Sequence, residues 1–259
     1  EVSRVARAAR LPARSQDAQA IVSELAPRAL VDDLVLANHI LANEGVLDAF
    51  GHVSARHPSG TGFLISRTRA PELVEAADLQ VLDLSGARVG GNEARSYEES
   101  AIHAAVYRHR ADAGAVVHAH ISSVLPFAAT GTPLRPIYHM GSVIGSEIPV
   151  WDIAERFGET DLLVRTARQA DDLLGALGDR TVALMRGHGC VVVGTDLRAA
   201  VFASIYLERN ATLLASALRM GEVRALSHGE IERAAAMLRG PAGERAWEYW
   251  TRRLSRINN

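Results

Sequence analysis

The chain has 259 residues, 48% of them hydrophobic, and a formal net charge of −2 at pH 7. That length can bury a large core, no apolar run approaches the roughly 20 residues of a membrane span, and the near-neutral balance gives no reason to expect nucleic acid or an anionic membrane as a partner. All 28 basic residues are arginine, so a Schiff-base lysine is excluded and any carbanion or enolate formed here needs another stabiliser, such as a metal.

Residues 1–25 open on an arginine- and alanine-rich stretch without the apolar centre of a signal peptide, and read as an N-terminal arm or surface helix. Leu30, Leu34, Ala37 and Leu41 recur at helical spacing and predict a helix over 26–43, stopped at Gly45. Strand-like runs follow at 52–57, 62–66 and 79–84, separated by turns at Pro58-Ser59-Gly60 and Ser85-Gly86. A helix over 98–109 then leads into the strand Ala115-Val116-Val117. Further on, the pattern predicts a helix over 161–177, paired strands at 181–186 and 189–193, and a long helix over 197–220. Ser227-His228-Gly229-Glu230 has capping-box spacing and puts His228 in the first turn of a surface helix. This order fits one α/β domain over 26–225, a central mostly antiparallel sheet covered by helices. Helices in 226–259 then pack on the same domain or on a neighbouring subunit. The lone Cys190 excludes an intrachain disulfide, fits a reducing cytoplasm, and reads as a small buried hydrophobe in Cys190-Val191-Val192-Val193.

The chemistry concentrates at the strand ends. Side chains at i and i+2 of a strand share a face, so His118 and His120 leave one strand edge together. Gly187-His188-Gly189 ends a second apolar run and brings a third imidazole on a backbone that glycine lets approach closely. Glu99, where the 98–109 helix begins, offers a carboxylate as a fourth ligand. A single histidine at a strand end is more often a hydrogen-bonded structural residue, but three with an acidic partner have the layout of a site for zinc, iron or manganese.

Gly51-His52-Val53-Ser54, Ile65-Ser66-Arg67-Thr68, Glu99 with His103 four residues on, His118-Ala119-His120 and Arg186-Gly187-His188-Gly189 together resemble the class II aldolase/adducin family over about residues 26–220. The resemblance implies a three-layer class II aldolase-like fold. It also implies one divalent cation per subunit on His118, His120 and His188, with Glu99 as fourth ligand or acid/base, and a cyclic homotetramer with sites between subunits. The family's sugar-phosphate aldolases carry Gly-Asn-Val-Ser and a phosphate-cradling Thr-Gly where this chain has Gly51-His52-Val53-Ser54 and Thr68-Arg69. An arginine in place of the nest's glycine blocks the backbone approach to phosphate and supplies a planar cation suited to a carboxylate.

The same segments, with Pro133-Leu134-Arg135-Pro136 and Cys190 after the His-Gly element, resemble the decarboxylase branch, which includes hydroxy-methylpyridine dicarboxylate and carboxy-muconic semialdehyde decarboxylases. That likeness implies a metal-dependent decarboxylase of an aromatic or ring-derived hydroxy or oxo acid, working through a stabilised enolate. Arg67, Arg69 or His52 would orient the carboxylates beside Ser66, and Glu99, or His52 as second choice, would return the proton. His139 and Tyr206 are further substrate-binding candidates, and Trp247, Tyr249 and Trp250 are candidates to close a neighbour's pocket or, more often for such residues, helix-packing anchors. A second branch, the non-haem iron oxygenases of aminocoumarin biosynthesis, shares the ligand set and implies oxidative decarboxylation of an aryl 2-oxo acid. A sugar-phosphate aldolase, a ribulose-phosphate epimerase or thioribulose phosphate dehydratase, both disfavoured by the lost phosphate nest, and a non-enzymatic adducin-like module complete the alternatives.

Overall fold

Alternate residues of the central strands enter two different hydrophobic cores, and that separation builds a three-layer α/β molecule. The computed structural model describes residues 26–257, and the arm or helix expected over 1–25 lies outside the described residues. The strands are β1 (His52–Arg56), β2 (Gly62–Ser66), β3 (Leu79–Asp83), β4 (Arg88–Gly91), β5 (Ala115–Ala119), β6 (Val150–Trp151), β7 (Val182–Met185) and β8 (Gly189–Gly194). They form one sheet in the order β4-β3-β2-β1-β5-β8-β7-β6, antiparallel throughout except for the parallel pair β6 and β7. The helices are α1 (Arg28–Asn43), α2 (Ser100–His109), α3 (Leu125–Thr130), α4 (Ala154–Phe157), α5 (Ala167–Leu177), α6 (Leu197–Met220), α7 (His228–Leu238) and α8 (Pro241–Ile257).

On one face Val53, Ala55, Val117, Ala119, Cys190 and Val192 pack with Leu34 and Leu41 of α1, Val201 and Ile205 of α6, and Trp247 and Trp250 of α8. On the other, Ile65, Val116, Val191 and Val193 pack with Ile102 and Val106 of α2 and Leu173 and Leu177 of α5. A fully buried leucine such as Leu34 or Leu41 contributes about 2 kcal/mol to this arrangement. The period of two then decides where the polar residues go: His52 and Ser54 alternate with Val53 and Ala55, and His118 with Val117, so all three face the α2 layer. Register completes the placement, with His52 opposite His118 across β1 and β5, and His118 opposite Val191 across β5 and β8.

The helix expected over 161–177 begins only at Ala167. Thr166 stops it as an N-cap, its hydroxyl accepting from Gln169 N while the Gln169 side chain accepts from Thr166 N. Ahead of it Leu162 has φ 69°, the only positive φ of a non-glycine residue among the described residues, which no helix tolerates. The short edge strands β4 and β6 escape sequence patterning, being half exposed or two residues long. The Ser227 capping box forms as expected and leaves His228 exposed at the start of α7. Trp247 and Trp250 are buried against α1 and α6 of the same chain, and no helix among the described residues is long and apolar enough to cross a membrane.

Candidate metal centre

Glu99, His118, His120 and His188 converge at one end of the sheet, each offering one ligand atom, and these four atoms lie within 4.8 Å of one another. Glu99 is the residue immediately before α2, His118 is the penultimate residue of β5 and faces α2, His120 follows just past β5, and His188 sits in the β7–β8 hairpin. The hairpin reaches the site because Gly189 has no side chain: a Cβ there would lie 2.2 Å from the Ala119 carbonyl oxygen. Of the acidic pair, Glu98 points outward to ion pairs with Arg95 and Arg165, and Glu99 points in.

The imidazoles are oriented from behind. His118 Nδ1 donates to the Cys190 carbonyl at 3.1 Å, and His188 Nδ1 donates to the Leu162 carbonyl at 2.9 Å, which leaves the Nε2 lone pairs of both rings facing the centre. His188 Nε2 lies 3.0 Å from His120 Nε2, and Glu99 Oε2 lies 3.3 Å from His118 Nε2 and 3.5 Å from His188 Nε2. With its proton on Nδ1, His118 Nε2 is a fully buried acceptor facing another acceptor, and it has no hydrogen-bond partner. Converging lone pairs around such an orphaned atom fit a divalent cation, and this donor set, three imidazoles and a carboxylate, suits zinc, iron or manganese. Burial, then the neighbouring imidazoles, lowers His120 to about 4, so it is neutral and ligand-competent at pH 7. Burial opposes the charge on Glu99, and only protonated His118 and His188, donating from Nε2, would hold its carboxyl well below the usual carboxylate range, a role that a cation on their lone pairs would take over.

A strap over residues 158–166 ties two of these ligands together. Its Leu162 carbonyl holds His188, and its Val164 N–H donates to Glu99 Oε1 at 2.9 Å. Arg165 bridges Glu98 and Asp161, closing the strap onto the start of α2.

Beside the four ligands runs a buried polar chain. His52 Nδ1 pairs with His103 Nε2 at 2.7 Å, His103 Nδ1 with the Ser54 hydroxyl, and that hydroxyl with Tyr107 OH at 2.8 Å. Burial first, then neighbouring histidines, pushes His52 well below its ordinary value and His103 to about 3. Burial also pushes the Tyr107 phenol upward. The His52 ring lies tilted against Tyr97 and His118, at centroid separations of 4.4 and 5.0 Å.

The remaining candidates sit apart from this cluster or are already engaged. Arg67 Nε and Arg69 Nη1 both donate to Asp78 Oδ1, at 2.7 and 3.1 Å, and Asp78 also accepts from Glu75 N. The Ser66 hydroxyl pairs with Tyr97 OH, which donates to the Arg69 carbonyl. His139 is exposed on the turn His139–Ile144, which packs on α6 and α7. Tyr206 packs at a tilt against Phe202 and Trp250, a contact inside the chain. Cys190 points into the α1/α6 core, where burial pushes its thiol up to about 12, so the small-hydrophobe reading describes it and only its carbonyl serves the site. Sequence reasoning missed Asp78, Tyr97, Tyr107 and the strap; His103, i+4 from Glu99 and therefore on the same helix face, carried a legible signal.

The model of the class II aldolase and adducin N-terminal domain matches residues 32–215. The decarboxylase tropJ of Talaromyces stipitatus is 33% identical over 241 residues, covering 83% of this chain and 90% of that protein. The 3,4-dihydroxyphthalate decarboxylase of Arthrobacter keyseri is 31% identical over 190 residues, covering 70% of this chain and 75% of the other. Among solved structures, an aldolase II superfamily protein from Pseudomonas syringae superposes with a TM-score of 0.75 at 22% identity, over 91% of this chain and 96% of that one, a likeness of fold. With the match spanning most of the described residues, this chain belongs to the class II aldolase and adducin family.

Proposed function

We propose that this protein is a metal-dependent decarboxylase of an aromatic or ring-derived hydroxy or oxo carboxylic acid. The observation that carries the reading is the buried, unpartnered His118 Nε2 at the meeting point of His120, His188 and Glu99. The decarboxylase names of its relatives support the reaction class. A divalent cation held by these four residues supplies Lewis-acid polarisation of an oxygen beside the scissile carboxylate.

The chain's own residues supply the rest. The carbon–carboxylate bond breaks, carbon dioxide departs, and the electron pair left on carbon takes up a proton. Glu99, buried beside the candidate ligand rings and ionised at rest, is assigned the relay of that proton from water to carbon, with His52 as the second candidate because its Nδ1 is fixed by His103. A homotetramer is the assembly this reading carries, and light scattering that found a fully active monomer would remove it.

The test is carbon dioxide release from 3,4-dihydroxyphthalate by protein loaded in turn with manganese, zinc and iron(II), with and without dioxygen. Release at equal rates in both atmospheres supports the lyase. Stoichiometric dioxygen uptake would replace it with the oxygenase reading, and cleavage of sugar phosphates without any decarboxylation would replace it with an aldolase.

A further inference from the structure

We propose that Phe50 forms an aromatic wall of the substrate site and selects planar ring acids over small aliphatic ones. The inference rests on the decarboxylase reading and narrows its substrate class. Phe50 is 67% exposed, and its ring centroid lies 6.4 Å from that of His120, one of the four clustered candidate ligands.

Its backbone is locked rather than loose. The Phe50 N–H donates to Asp48 Oδ1 at 2.8 Å, an Asx turn that fixes the approach to β1. Gly51 follows at φ 87°, where an added Cβ would meet the His118 carbonyl oxygen at 2.9 Å and Leu47 Cδ2 at 2.6 Å. The loop is therefore pressed directly onto the backbone of a metal ligand, and it holds an exposed ring there. From Phe50 the ring contacts continue through His120, His118 and His52 to Tyr97, at successive centroid separations of 6.4, 5.0, 5.0 and 4.4 Å. Phe50 is the exposed end of that row, and Tyr97 is the half-buried end.

A small hydroxy acid chelating the cation would gain little from a phenyl ring at this distance. A planar arene extending past His120 would gain an offset or edge contact and cover exposed apolar surface. Arg67 and Arg69, the cations expected to read carboxylates, both spend hydrogen bonds on Asp78, so discrimination by ring contact has a clear role at this site.

The experiment is calorimetric titration of the zinc-loaded full chain, its zinc content measured beforehand, with 2,3-dihydroxybenzoate and with glycolate. Phe50→Ala should weaken the aromatic chelator about fivefold to tenfold, the range of one aromatic contact, and leave glycolate within about twofold. Phe50→Trp should restore the aromatic affinity. Equal losses for both chelators, or an unchanged aromatic affinity, would overturn the proposal. Dissociation of the assembly by Phe50→Ala in light scattering would assign the ring to a subunit contact instead. Because binding is read, absence of carbon dioxide release would sink the decarboxylase reading alone, whereas failure to take up zinc would remove both.

Discussion

The carbonyl of Leu162 accepts a hydrogen bond from His188 Nδ1 at 2.9 Å, and Leu162 holds a left-handed φ of 69° to present it. A β-carbon in that region costs on the order of 1 kcal/mol, so the strap spends conformational energy on aiming a candidate metal ligand. Leu162→Gly keeps the carbonyl and relieves the strain, and zinc affinity in a chelator competition should stay within about threefold. Leu162→Pro forces φ negative and removes the N–H that donates to Thr160, and zinc affinity should fall about tenfold to a hundredfold, as when an outer-shell partner is lost. Equal affinities in both variants would show that the strap does not orient His188.

Substitutions at the four candidate ligands should separate metal binding from proton transfer. His118→Ala, His120→Ala and His188→Ala should each lose bound metal and activity together. Glu99→Gln keeps an oxygen ligand but cannot shuttle a proton, so it should retain most metal by elemental analysis while turnover drops by about 100-fold or more. Full activity in Glu99→Gln would move the proton transfer to His52.

Much of this centre was legible because its parts are side chains on a periodic scaffold. His118 follows from the two-residue period of β5, His120 lies one residue past the strand end expected to carry it, and His188 follows from glycines that only a close hairpin needs. The strap was not legible, since Leu162 and Val164 act through backbone C=O and N–H groups that no side-chain pattern reports. Leu162 and Leu163 extend the apolar periodicity of α5 backward, and that outweighed the Thr166-Ala167-Arg168-Gln169 capping box, the true start signal. Asp78 escaped because its tie to Arg67 and Arg69 depends on β2 pairing with β3, a register that no local spacing gives.

Asp78 decides what the two arginines do. It is 4% exposed and binds both guanidinium groups and the Glu75 N–H. Asp78→Ala removes all of these at once and should cost about 2–4 kcal/mol in urea unfolding, while Arg69→Ala, leaving Arg67 in place, should cost about 1–2 kcal/mol. A tenfold or larger rise in KM for a carboxylated substrate in Arg69→Ala, at unchanged stability, would instead make Arg69 a carboxylate clamp.

His103 gives the metal-free protein an acid-sensitive core. Buried between His52, Ser54 and Tyr107, and stacked on Phe63, it has its pKa lowered to about 3 by burial first and by His118 second. In the unfolded chain a histidine titrates near 6.5, so between about pH 6.5 and 3 the unfolded state binds a proton that the folded state refuses. Stability therefore falls as pH drops through that window and is fully present above it. His52, lowered in the same direction, adds to the slope. Each such group contributes up to about 1.4 kcal/mol per pH unit well inside the window. In chelator-treated protein unfolded by urea from pH 7 to pH 4, His103→Gln should remove about one proton from the linkage slope, even where the lost hydrogen bonds lower stability at every pH. An identical slope in variant and wild type would show that His103 is already charged in the folded chain.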